Sequence, residues 1–116
     1  MRGIDIALEI FKRKNFVFKN YRKIAEKIKK AAKEVLRDEN VRVIVFGSVV
    51  RKTQNPLSDL DVLIVSKKAE KVNYGKVVSK IKKEIGKNLI GIEFHLVTPS
   101  IFENWYKRFI DKYEEV

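Results

Sequence analysis

The sequence predicts an α/β fold containing three or more strands, and two observations support that class. Segments with helical three-four spacing alternate with short aliphatic runs at residues 41–46, 59–65 and 92–97. Those runs are rich in valine and isoleucine, whose branched side chains suit a pleated surface. A chain of 116 residues with 45% hydrophobic content has material for one core, so residues 1–116 are expected to form a single domain.

The elements follow in order. Ile4, Ala7, Leu8 and Phe11 share one helical face, and a basic, aromatic connector through Phe16, Val17 and Phe18 is expected next, making residues 1–18 an N-terminal helix and connector. Tyr21, Ile24, Ala25, Ile28, Ala31, Ala32, Val35 and Leu36 then recur at helical spacing, with Asn20 as the expected cap and an end near Asp38 and Asn40. Residues 41–46 read as a strand stopped at Gly47, and Thr53, Gln54, Asn55 and Pro56 read as a loop. Residues 59–65 are mostly aliphatic after their start, which predicts a central strand. Val77, Val78, Ile81 and Ile85 give a shorter helix with Gly86 as its stop.

In residues 92–97, Ile92, Phe94 and Leu96 alternate with Glu93, His95 and Val97, so the two sets face opposite ways. A last helix opens at Thr98 followed by Pro99, or at Ser100 in a capping box with Glu103; the residues leave both open. Ile101, Phe102, Trp105, Phe109, Ile110 and Tyr113 form a wide apolar stripe on that helix, expected to be core.

Lys and Arg number 26 against 15 Asp and Glu, a formal net charge of +11. The excess is concentrated in residues 19–37 and 67–87, each with eight cations and two acids. Lysine dominates and arginine does not interleave with aromatics, so these read as solvated helix exteriors, with a nucleic-acid surface the less favoured alternative. The absence of Cys excludes a disulfide scaffold, a thiolate zinc site and a thiol nucleophile, and a single His excludes a multi-histidine metal site. No apolar run approaches the roughly 20 residues of a membrane span, and Asp5 and Glu9 interrupt the first helix, unlike a secretory leader. The expected address is the cytoplasm, with no membrane partner.

The chemistry-bearing residues lie mostly between positions 43 and 65. Gly47 follows directly on a strand, where the missing Cβ permits a sharp turn and close approach of a ligand, and Ser48 adds a hydroxyl. Backbone N–H groups at such a turn can bind an anion. Asp59 and Asp61, two apart on a strand, send both carboxylates to one face, while Leu60 and Val62 face the other way. Adjacent carboxylates repel unless cations intervene, and hard, octahedral Mg²⁺ suits a few carboxylates completed by phosphates. Glu93 is a third acid, on the last strand; if that strand neighbours the second, three carboxylates converge. His95, on the same face as Glu93, is a further candidate that would orient the acid or neighbour a nucleotide.

This combination, Gly47-Ser48-Val49-Val50-Arg51, then Ser58-Asp59-Leu60-Asp61, then Ile92-Glu93-Phe94, resembles the DNA polymerase β nucleotidyltransferase superfamily. Within it, the size and layout are similar to those of the archaeal and bacterial minimal nucleotidyltransferases, from the long basic helix to the C-terminal aromatic helix. The resemblance implies a small mixed sheet packed with helices, like a polymerase β palm. It further implies that Gly47, Ser48, Arg51 and Ser58 hold nucleotide phosphates, that Asp59 and Asp61 ligate two Mg²⁺ ions, and that Glu93 binds the catalytic ion and helps deprotonate the acceptor. ATP is the implied substrate, a HEPN-type toxin the implied partner, AMP transfer to its tyrosine the implied reaction, and antitoxin action the implied role, with oligomers possible. An antitoxin that neutralises a partner RNase without catalysis is the alternative. Two positions depart from the family pattern: Lys52 stands where glycine often follows the arginine, and Glu93 where Asp is commoner.

Overall fold

The apolar repeat beginning at Tyr21 folds as its spacing dictates. In the computed structural model, which describes residues 3–47, 59–86, 89–110 and 112–116, helix α2 (Tyr21–Leu36) buries Ile24, Ala25, Ile28, Ala31, Ala32 and Leu36 along one face. It is preceded by α1 (Gly3–Lys19) and followed by strand β1 (Arg42–Phe46). Strand β2 (Leu60–Val65), helix α3 (Tyr74–Ile85) and strand β3 (Ile92–Val97) come next. Helix α4 opens at Pro99–Ile101, widens into a π-helical segment at Phe102–Tyr106 and closes at Lys107–Phe109, before strand β4 (Tyr113–Glu115).

The four strands form one mixed sheet in the order β3-β2-β1-β4, with β2 inside it, as its aliphatic run predicts. β1 pairs antiparallel with β2 and with β4, whereas β2 pairs parallel with β3. Strand alternation divides the core in two. Val43, Val45, Leu60, Val62, Ile64 and Phe94 pack under α2 and α3, whose Val77, Val78, Ile81 and Ile85 are buried. On the other face Ile44, Leu63, Val65 and Val97 pack with Phe102 and Ile110. The carboxylates occupy this second face, opposite the two lysine-rich helices.

Three expectations about local structure change in whole or in part. Residues 12–19 continue α1 instead of forming a connector, because no Gly or Pro interrupts them and helical spacing sets Val17 and Phe18 into the core. Asn20 stands at the N-cap of α2 as expected, its carbonyl accepting from the Ile24 N–H at 3.0 Å, but its side chain makes no cap bond: Nδ2 turns back and donates to the Phe16 carbonyl of α1 at 2.8 Å. Finally, the stripe assigned to the last helix divides. Ile110 leaves the helix and is buried, while Tyr113 lies on β4, where its backbone completes the edge of β1 opposite Phe46. Arg42 fastens that edge by a bidentate pair with Glu115 at 2.8 and 2.6 Å. Trp105, expected in the core, is 62% exposed. Of the two possible caps for α4, Thr98 is used: its Oγ1 accepts from the Ile101 N–H at 3.3 Å, with Pro99 at the first helical position.

Among the described residues, no helix is long and apolar enough to cross a membrane.

Candidate functional site

Parallel pairing of β2 and β3 sets the site's geometry. Asp61 lies beside Glu93 in the register, and His95 lies two residues further along the same face. His95 Nε2 is 3.4 Å from Asp61 Oδ1 and 3.9 Å from Glu93 Oε1. One ligand atom from each of these three residues falls within a span of 4.8 Å. Asp61 and His95 are about three-quarters shielded, while Glu93 stands at the open side of the group.

β1 contributes the wall. Phe46 pairs with Asp61 across the antiparallel ladder, which brings its ring to 5.3 Å from the imidazole of His95. Tyr106, from the π-helical segment of α4, lies 6.0 Å from His95 and 6.4 Å from Phe46. The two rings hold the imidazole in a partly apolar slot, so its approach to the carboxylates is set by packing. Neither Phe46 nor Tyr106 was marked by the sequence. The cross-strand position of Phe46 follows only from the β1–β2 register, and the inward turn of Tyr106 only from the π-helical widening.

Gly47 ends β1 with φ +87°, and a Cβ there would come within 2.6 Å of Asp61 Oδ2. The glycine is therefore required twice over, by the turn and by the carboxylate lying against it. Ser48, Arg51 and Ser58, to which the family resemblance assigns phosphate binding, and Lys52, which departs from the family pattern, lie outside the described residues.

Asp59 is placed differently from the other two acids. It precedes β2, is exposed, and its Oδ1 pairs with Lys14 Nζ of α1 at 3.0 Å. The structure thus groups Asp61 and Glu93 with His95, and ties Asp59 to a lysine at the same end of the sheet. The negative charge of Glu93 also reaches α3: burial and then Glu93 raise the phenol of Tyr74, whose hydroxyl donates to the Phe94 carbonyl at 2.6 Å.

Two carboxylates and an imidazole, converging on a partly open point beside a glycine turn, fit a divalent cation. The carboxylate oxygens suit a hard divalent ion, and the exposed Glu93 leaves one side of the group open.

The comparisons with known proteins agree with this geometry. The family described as "Nucleotidyltransferase domain" matches residues 22–115. A crystal structure described as that of a "putative nucleotidyltransferase" is 31% identical, with a TM-score of 0.55 over 78% of this chain and 95% of that one. Another, so described and from Sulfolobus solfataricus, is 17% identical with a TM-score of 0.54, covering 92% of this chain and 85% of that one; it bears on the fold alone. No curated protein matches the chain.

Proposed function

The chain belongs to the nucleotidyltransferase domain family, and on that premise we propose that it transfers AMP from ATP to a tyrosine hydroxyl of a partner HEPN-type toxin, acting as a cytoplasmic antitoxin. The observation that carries a transferase reading is the placement of Asp61 beside Glu93 on parallel strands, with Asp61 packed against the Gly47 turn. In the reaction the acceptor oxygen attacks the α-phosphorus, the bond to pyrophosphate breaks, and the hydroxyl proton passes to a base, the role given to Glu93. Two Mg²⁺ ions, when bound, supply the charge that neutralises the phosphates and sharpens the acceptor hydroxyl. Asp59, Asp61 and Glu93 would hold them, His95 orients Asp61, and Gly47, Ser48, Arg51 and Ser58 receive the phosphates.

The test is incubation of the chain and its co-purifying partner with ATP and Mg²⁺, followed by intact-mass measurement of both. An adenylyl adduct on the partner, absent with Asp61→Asn, is expected. Equal labelling by the Asp61→Asn protein would refute the assignment of the site.

A second reading, a binding module that neutralises a partner RNase without catalysis, draws on the first half of α1, where Ile6, Leu8, Ile10 and Phe11 are all 43% or more exposed. Under it, Asp61→Asn still neutralises the partner, and ATP with Mg²⁺ leaves the melting temperature unchanged.

A further inference from the structure

Resting on the nucleotidyltransferase reading of the site, we infer that Lys14 is a positioning residue of that site: its ammonium stands on Oδ1 of Asp59 as a resident cation, which a divalent ion must displace to take that oxygen.

The observations come from three elements. Lys14 lies on α1, which precedes residue 22, where the family match begins. Lysine side chains ordinarily stand in water. That of Lys14 is only 19% exposed, although the first half of its helix projects apolar residues into solvent. Its stem lies against Gly91. A Cβ at that position would approach Lys14 Cγ to 2.9 Å, and the φ of +76° there also favours glycine. The Gly91 carbonyl accepts from the Leu60 N–H at 2.7 Å, so the saddle that seats Lys14 is joined to the residue following Asp59. Glu93 lies two residues beyond it. α1, the start of β3 and the start of β2 therefore bring the Lys14 ammonium to 3.0 Å from the Asp59 carboxylate.

The consequence is electrostatic. With Lys14 in place, Asp59 is neutralised and its Oδ1 is engaged, so the charge available to an incoming ion is that of Asp61 and Glu93, with the nitrogen of His95. An incoming cation that calls on Asp59 meets both the repulsion of the ammonium and the loss of the existing pair. A nucleotide bringing its own phosphate charge offers the displaced ammonium a new anionic partner. Lys14 thus holds the nucleotide-free site in a state that takes a first ion through Asp61 and Glu93, and gives Asp59 up when phosphate arrives.

The test is Mn²⁺ binding to the nucleotide-free protein, read by electron paramagnetic resonance at low ionic strength. Lys14→Met keeps the stem and removes the charge. Taking away one positive charge near a divalent ion is expected to tighten Mn²⁺ binding by about tenfold, a gap that narrows in salt. Asp59→Asn, which leaves the ammonium uncompensated, should weaken Mn²⁺ binding severalfold in the wild-type background, and more strongly in the Lys14→Met background, where it removes a carboxylate free to ligate. Equal Mn²⁺ affinity with and without the Lys14 charge, or an Asp59→Asn effect of the same size in both backgrounds, would overturn the inference. Circular dichroism establishes that each variant is folded; if Lys14→Met does not fold, Lys14→Gln is read in its place. Asp61→Asn separates the two claims. Loss of Mn²⁺ binding in that variant upholds the site, so that any failure then falls on Lys14 alone; unchanged binding means that the underlying site reading fails.

Discussion

Asp38 shows how one side chain can join two segments distant in the chain. It is 4% exposed; its Oδ2 accepts from the Ser66 hydroxyl at 2.8 Å and its Oδ1 from the Asn40 N–H at 2.9 Å, while Ser66 Oγ in turn accepts from the Lys68 N–H. Burial raises this carboxyl, but the Ser66 and Asn40 hydrogen bonds and the charges of Lys67 and Lys68 outweigh it, and the folded group titrates below its ordinary value. A group lowered on folding stabilises the fold above its unfolded pKa, and that contribution is lost as pH falls through the folded value. Asp38→Ala strands the buried Ser66 hydroxyl and is expected to cost about 1–3 kcal/mol at pH 7. Urea unfolding checks this: the gap between wild type and variant should shrink on acidification below the carboxylate range. A gap that widens instead would contradict the sign. At the active end, Gly47 has comparable leverage, since any side chain there meets Asp61.

At the scale of elements, α1 is two helices in energetic terms. Its last turn is anchored by Val17 and Phe18, 1% and 7% exposed, whereas Leu8 in its first half is more than half exposed. Phe18→Ala should cost about 3 kcal/mol or more, by lost burial and the cavity left behind. Leu8→Ala should stay within about 0.5 kcal/mol. Chemical denaturation of the two variants makes the comparison; equal costs would mean that the first half of α1 is covered in solution. Both ends of the chain depart from their local periodicity for a related reason. The basic, aromatic segment through Phe16, Val17 and Phe18 reads as a connector but sits on a helix for want of any breaker. Tyr113 fits a helical stripe by spacing, yet its segment gains more from the open edge of β1 and the pairs of Glu114 with Tyr21 and Arg22 and of Glu115 with Arg42. Short apolar runs satisfy both periodicities, and the partner that decides between them is remote in sequence.

Across the whole molecule, charge and chemistry are segregated. The cation-rich helices α2 and α3 cover one face of the sheet, and Asp61, Glu93 and His95 occupy the other. With a formal charge of +11, self-repulsion acts on the folded chain over long range. Raising monovalent salt from about 10 mM to about 150 mM shortens the Debye length from about 30 Å to about 8 Å, and the melting temperature is expected to rise. A fall would mean that ion pairs such as Arg42–Glu115 outweigh the net repulsion. The class of fold, the three strands of aliphatic composition, the two amphipathic lysine-rich helices and the acids Asp61 and Glu93 were legible in the amino-acid order, because periodicity and side-chain alternation are local properties. What tertiary structure decided was the company each residue keeps. The parallel register brings Glu93 and His95 to Asp61, the rings of Phe46 and Tyr106 frame His95, and Asp59 pairs with a lysine 45 positions earlier in the chain. Those pairings depend on strand order and helix docking, which a one-dimensional pattern does not encode.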